Sequence, residues 1–178
     1  LVNQVQFLLQ MVVMGLGNGL GVLAAQYWGK GRIQPVKRII AIVFGIGIPV
    51  ALIFTAAGAL IPRQILFLLT DNSAIIDEGA AYFRIVCISY IFFTVTNILL
   101  AAFRSVESPQ IGFYVSLCAL FINIALNYCL IFGKFGFPEL GARGAAAATV
   151  AARAIEAVIT VIYTLRLDKK VKISIGEL

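Results

Sequence analysis

Asn123 and Asn127 stand four residues apart within a long apolar run, so on a helix both project from one face. Two amide oxygens on one face suit a cation or a polar substrate. The competing reading is that each amide hydrogen-bonds a neighbouring helix. Arg153 and Glu156 lie three apart in another apolar run. On a helix they either form a neutralised pair against a neighbouring helix or leave Glu156 as a carboxylate that carries protons. Tyr82, Thr94, Thr96 and Asn97 lie in a third such run, and Thr149 shares one with Arg153. A lone charge at the middle of a bilayer costs about 2.5–3.5 kcal/mol on insertion scales, so polar groups at that depth need partners or water. Convergence of three such runs would build a polar cavity.

Other chemistry is excluded by what the chain lacks. It has no histidine, so the usual metal ligand and general base is missing. Its cysteines, Cys87, Cys118 and Cys129, are odd in number, fall in apolar runs and have no Cys-x-x-Cys spacing. They read as buried packing residues. Gly15-Leu16-Gly17-Asn18-Gly19-Leu20-Gly21 is glycine-rich, yet a dinucleotide fingerprint needs glycine at 20 or 22, where Leu20 and Val22 stand. Glycines four apart instead permit close helix approach or a bend. Paired catalytic carboxylates and a nucleophile with its base are absent too, so no enzyme and no cofactor is expected.

The elements that position these residues follow from composition. Of 178 residues, 61% are apolar and 12% charged, against about 45–50% and 25% in soluble domains. A hydrocarbon core needs about 20 apolar residues per helical span. Five segments meet that length, at about 1–27, 38–61, 80–103, 110–132 and 144–166, and predict an all-α, polytopic helical bundle. The connection 63–79 carries Ile65, Leu66, Leu68 and Leu69 and predicts a short helix lying at the interface. Gln26-Tyr27-Trp28 reads as an interfacial aromatic anchor.

Nine basic residues follow spans one, three and five: Lys30, Arg32, Lys37 and Arg38; Arg104; and Arg166, Lys169, Lys170 and Lys172. The other side has Arg63, Lys134 and Arg143, with Arg84 a turn inside. The positive-inside rule places the first set, including the linker 167–178, in the cytoplasm and the 63–79 connection outside. The net charge of +6 is then a matter of topology and carries no nucleic-acid meaning. Leu1 opens the chain and the methionines, Met11 and Met14, both lie in an apolar stretch. A piece of a longer chain, lacking at least one earlier span, is therefore expected.

Gln26-Tyr27-Trp28-Gly29-Lys30-Gly31 resembles the Q-x-x-G-A/K-G turn after the second helix of the multidrug and toxic compound extrusion (MATE) transporters. Arg104 with Ser108-Pro109 is similar to the exit from that family's fourth helix, where R-x-x-G-x-x-x-P is more usual. Asn123-Ile124-Ala125-Leu126-Asn127, Leu130-Ile131-Phe132-Gly133 and Leu140-Gly141-Ala142-Arg143-Gly144-Ala145-Ala146, continuing through Thr149 to Arg153 and Glu156, resemble helices five and six.

The resemblance implies helices two to six of a twelve-helix antiporter, most of one six-helix lobe. Its partners would be the missing first helix and the second lobe of the same polypeptide, membrane lipids and an amphipathic small-molecule substrate. Export of amphipathic, often cationic drugs would be driven by sodium or protons through alternating access, in the plasma (inner) membrane. In that family an aspartate on the first helix joins polar residues on the fifth to hold a cation. Asn123 and Asn127 match the fifth-helix pair, Thr149 a sixth-helix position, and Tyr82 and Asn97 fourth-helix counterparts. The only metal expected is sodium at Asn123 and Asn127. The alternative within the superfamily is a lipid-linked oligosaccharide flippase.

Overall fold

A computed structural model describes residues 2–68, 70, 72–106, 109–132 and 141–166. These form seven helices among the described residues: α1 (Val2–Gly29), α2 (Ile33–Leu60), α3 (Pro62–Phe67), α4 (Ser73–Val86), α5 (Ser89–Ser105), α6 (Pro109–Phe132) and α7 (Gly141–Arg166). The chain is an all-helical, multi-pass membrane protein. Four helices are long and apolar enough to cross a bilayer, and α4 with α5 make a fifth crossing if that bent pair is one span. Residues 133–140, Asp71, Glu107-Ser108 and the basic segment 167–178 lie outside the described residues.

Apolar periodicity sets which face of each helix is covered. In α1 the buried positions are Val2, Val5, Leu9, Val13, Gly17, Leu20 and Ala24, a three-and-four spacing that forms one stripe. The opposite side of α1, including Phe7, Leu8, Met11 and Val22, is exposed, as are Ile42 and Ile53 on α2. So much apolar surface is costly in water and ordinary in lipid.

The helix α5 sits centrally, packing against α1, α2, α6 and α7. Two apolar clusters flank its length. One gathers Leu9, Val13, Leu66, Phe83, Val86 and Tyr90. The other gathers Leu20, Ala24, Ile40, Ile98, Phe103 and Val106. By contrast, α6 leans mainly on α7 and more lightly on α5. This corrects the expectation for Cys118, which is exposed on α6, whereas Cys87 is buried and Cys129 half-buried. A cysteine in an apolar run is buried only where another helix covers that face.

The turn after α1 is built by its glycine. Arg32 N–H donates to the Tyr27 carbonyl at 3.0 Å and Gly31 N–H to the Trp28 carbonyl at 2.8 Å. This double bond pattern closes a helix when the residue after the cap is left-handed, and Gly31 has φ 69. The Gln26-to-Gly31 run is therefore a helix stop whose geometry requires glycine.

The third expected span, 80–103, is not one straight helix. Helix already begins at Ser73, inside the expected connection, and Asp77 there pairs with Arg63 on α3 at 2.7 Å, both exposed. Such an exposed pair adds about 0–1 kcal/mol. A bend of 49° then separates α4 from α5. No proline lies there; instead the ladder tightens, with Tyr90 N–H donating to the Cys87 carbonyl at 3.1 Å, and Thr55 Oγ1 on α2 donates to that same carbonyl at 3.1 Å. A hydroxyl inserted from a neighbour is a recognised cause of a kink.

Close approach at the bend depends on Gly58. A Cβ there would stand 2.7 Å from Cys87 Cβ and 2.8 Å from the Phe83 ring, and both neighbours are fully buried. Gly58→Ala is expected to cost about 1–3 kcal/mol through overpacking, seen as a lower midpoint of thermal unfolding in detergent. An unchanged midpoint would contradict this helix contact.

Candidate functional site

Polar residues of α6 and α7 meet in one cleft of about 420 Å³ lined by Ser116, Leu120 and Asn123 from α6 and Thr149, Arg153 and Glu156 from α7, with Ala119 and Ala152. Helical geometry explains the grouping. Ser116, Leu120, Asn123 and Asn127 follow a four-three-four spacing, and Thr149, Ala152, Arg153 and Glu156 recur at threes and fours; each set therefore shares a face. The cleft walls hold these faces toward each other because α6 and α7 pack closely along their length. Alanines at 145, 146, 147 and 148 keep the first turns of α7 narrow, and Ala146 and Ala148 are fully buried.

The amide pair is joined: Asn127 Nδ2 donates to Asn123 Oδ1 at 2.8 Å. Asn123 lines the cleft, and Asn127 sits one turn along, tied to it. Thr149 Oγ1 donates to the Ala145 carbonyl at 2.9 Å, which uses its proton and leaves the oxygen's lone pairs available. Arg153 Nη1 lies 3.4 Å from Glu156 Oε2, with side chains 32% and 8% exposed. That is longer than the about 2.7–2.9 Å of a tight charge-assisted bond. On its other side the guanidinium stands 4.9 Å from the centroid of the Phe93 ring of α5, an attractive cation–π placement. Glu156 is thus a mostly buried carboxylate whose charge is offset by an arginine with two holds.

The cleft brings together Asn123, Thr149, Arg153 and Glu156, with Asn127 bonded to the first. From the residues alone, the charge pair and the amide pair read as separate features; in the folded chain they share one cleft. Asn97 and Tyr82 are not among its walls. Asn97 spends one donor on its own helix, Nδ2 to the Phe93 carbonyl at 2.8 Å, one turn from the ring under Arg153. Tyr82 packs beside the Phe83 and Tyr90 cluster. Thr94 is buried and donates to the Tyr90 carbonyl at 2.9 Å, and Thr96 is buried as well.

Two contributors escaped the sequence reading. Ser116 lies seven residues before Asn123, so its shared face was legible in the spacing. Phe93 carried no signal, because nothing in an apolar run tells which ring will meet a cation on another helix. Chemically the cleft offers amide, hydroxyl and carboxylate oxygens, the donors that hard cations prefer. Among the described residues, no group of three or more His, Cys, Asp or Glu side chains could hold a metal ion.

Comparison with known proteins agrees with the sequence resemblance. The chain is 30% identical over 155 residues, 87% of its length, to "Probable multidrug resistance protein NorM" of Thermotoga maritima, covering 33% of that protein. It is 32% identical over 170 residues to the protein of the same description from Rhizobium meliloti, covering 93% of this chain and 35% of the relative. It is 28% identical over 176 residues to "Probable multidrug resistance protein YoeA" of Bacillus subtilis, again 93% of this chain and 37% of the relative. The chain thus spans about a third of the length of the curated relatives it matches. No solved structure matches it significantly. The MatE family model matches residues 1–129, well over half of the sequence and through both Asn123 and Asn127, and the chain accordingly belongs to the MatE family.

Proposed function

We propose that this chain supplies part of one lobe of a twelve-helix efflux transporter of the plasma membrane, which exports amphipathic, often cationic compounds in exchange for sodium or protons. The observation that carries the reading is the cleft between α6 and α7, where Asn123, Thr149, Arg153 and Glu156 line one cavity inside a largely apolar bundle. Polar side chains at that depth are costly unless they serve a ligand or pair with one another. The multidrug-resistance descriptions of the relatives support the substrate class.

In this reading Asn123 and Asn127 supply neutral oxygen ligands and Thr149 a hydroxyl oxygen. Glu156 is the local anion, shared between Arg153 and an entering cation. As the cation claims the carboxylate, Arg153 keeps its hold on the Phe93 ring, so the lobe exchanges one arrangement of charges for another. Coupling follows if ion and drug favour opposite states of the lobe, since a ligand shifts an equilibrium only by its differential affinity.

Filling the cleft tests this. Ser116 lines it and is exposed on α6, so Ser116→Phe adds bulk there without entering a packed core. Membrane insertion and yield are expected to stay at wild-type level while drug efflux from intact cells falls about tenfold or more, the scale of a lost productive binding mode. Wild-type efflux by a well-expressed Ser116→Phe protein would remove the cleft from the transport path.

A further inference from the structure

Buried threonines of α5 and α7 are satisfied by their own helices, with one exception. Thr94, Thr160 and Thr164 each donate to the carbonyl one turn earlier, at 2.9, 2.7 and 2.8 Å. Thr96 is 1% exposed, yet its Oγ1 has no hydrogen-bond partner among the described residues. The Tyr90 hydroxyl is likewise unpartnered, but it sits in the apolar cluster around Phe83. Leaving a buried hydroxyl without a partner is costly, so a partner that arrives in another state of the lobe would account for Thr96.

Packing of α5 on α7 shows which group that is. Phe93 meets Arg153, ring centroid to guanidinium 4.9 Å, and Phe103 meets the Tyr163 ring at 5.7 Å. Ten residues separate the two contacts on each helix, so the helices run parallel and stay in register between them. Thr96 comes three residues after Phe93, and Glu156 three after Arg153; the two are therefore level. At 3.6 residues per turn, Thr96 points between the directions of Phe93 and Phe103, and Glu156 between those of Arg153 and Tyr163. Each thus lies on the face its helix turns to the other. Glu156 is held at present by Arg153, at a loose 3.4 Å. We infer that Thr96 is the second partner of Glu156, a positioning residue whose hydroxyl takes the carboxyl group when it turns from Arg153 into the interface between α5 and α7. This rests on the reading of Glu156 as the anion that meets the coupling ion. A carboxyl group that leaves its arginine at membrane depth needs another partner. Hydroxyls suit either charge state, donating to a carboxylate and accepting from a protonated carboxyl, whereas arginine only donates and stays charged. Arg153 meanwhile keeps its place on the Phe93 ring.

The test uses the full-length transporter that contains this chain. Thr96→Val keeps the side-chain shape and removes the hydroxyl, so its thermal midpoint in detergent should equal or exceed that of the wild type, an unpartnered buried group having been lost. In proteoliposomes under a sodium or proton gradient, its ion-stimulated efflux should fall about fivefold, the lower end of coupling effects, and Thr96→Ser should recover to within about twofold of wild type. A space-filling role would give the reverse order, because serine loses a methyl group and valine does not. Wild-type ion stimulation in Thr96→Val overturns the proposal, and so does a Thr96→Ser protein no better than Thr96→Val. A lowered midpoint or failure to fold in Thr96→Val would show the hydroxyl bonded before the carboxylate moves, and overturns it too. The Asn123→Ala, Asn127→Ala protein, measured alongside, separates two kinds of failure. If it loses ion stimulation while Thr96→Val keeps it, the cleft stands and the role of Thr96 alone falls. If it keeps wild-type ion dependence, the reading of the cleft falls and takes this role with it.

Discussion

Glu156→Ala is expected to lower the amount of folded protein severely, because it leaves Arg153 without its anion at membrane depth. The pair is close, at 3.4 Å, and Glu156 is 8% exposed. Removing one partner of a buried pair costs about 3–5 kcal/mol. Arg153 is a third exposed and also rests against the Phe93 ring, which places the effect at the lower end, about 3 kcal/mol. Arg153→Leu with Glu156→Leu should cost less than either single change, since no uncompensated charge remains. Fluorescence-detected size exclusion and thermal melting in detergent measure all three. A Glu156→Gln protein that is fully folded yet has lost pH-driven efflux would instead assign the carboxylate a proton-carrying role. Either outcome is informative about the cleft, because the carboxylate lines it in both cases.

The helices were legible because membrane segments declare themselves by length and apolarity. The stripe Val5, Leu9, Val13, Gly17, Leu20 and Ala24 could be read from spacing alone. The bend between α4 and α5 could not. It contains no proline, and its cause lies in Thr55 and Gly58, about thirty residues earlier in the chain, whose contact with Cys87 exists only after α2 packs against it. The exposure of Cys118 was hidden for a related reason: an apolar run does not say which of its faces another helix will cover. At the cleft, spacing gave each helix its polar face, Asn123 with Asn127 and Arg153 with Glu156. Only the packing of α6 on α7 put those two faces opposite each other, and only the position of α5 brought Phe93 under the arginine.

The second large effect concerns the amide pair. Asn127 and Asn123 hold each other through one hydrogen bond at 2.8 Å, so replacing either changes the orientation of the other. Both residues are partly buried within this chain, and neither fills a tight core. Asn123→Ala with Asn127→Ala should therefore leave insertion and folding intact, the net loss being one side-chain hydrogen bond of about 1 kcal/mol. Transport is where the loss should appear. If the amide oxygens help to hold the coupling ion, their removal weakens the linkage between ion and drug. Coupling free energies of about 1–3 kcal/mol correspond to changes of about 5- to 150-fold, so a drop of about tenfold or more in ion-stimulated efflux is expected.

The cleft between α6 and α7 as the place where ion and substrate are handled is tested most directly by that double variant. The full-length transporter that contains this chain is reconstituted in proteoliposomes, and drug movement is followed with an imposed sodium gradient, an imposed proton gradient and neither. Wild-type protein should respond to one of the two gradients. The Asn123→Ala, Asn127→Ala protein, inserted to the same level, should lose most of that response while retaining its unstimulated rate. An identical ion dependence in the two proteins would contradict the account and return both asparagines to helix packing.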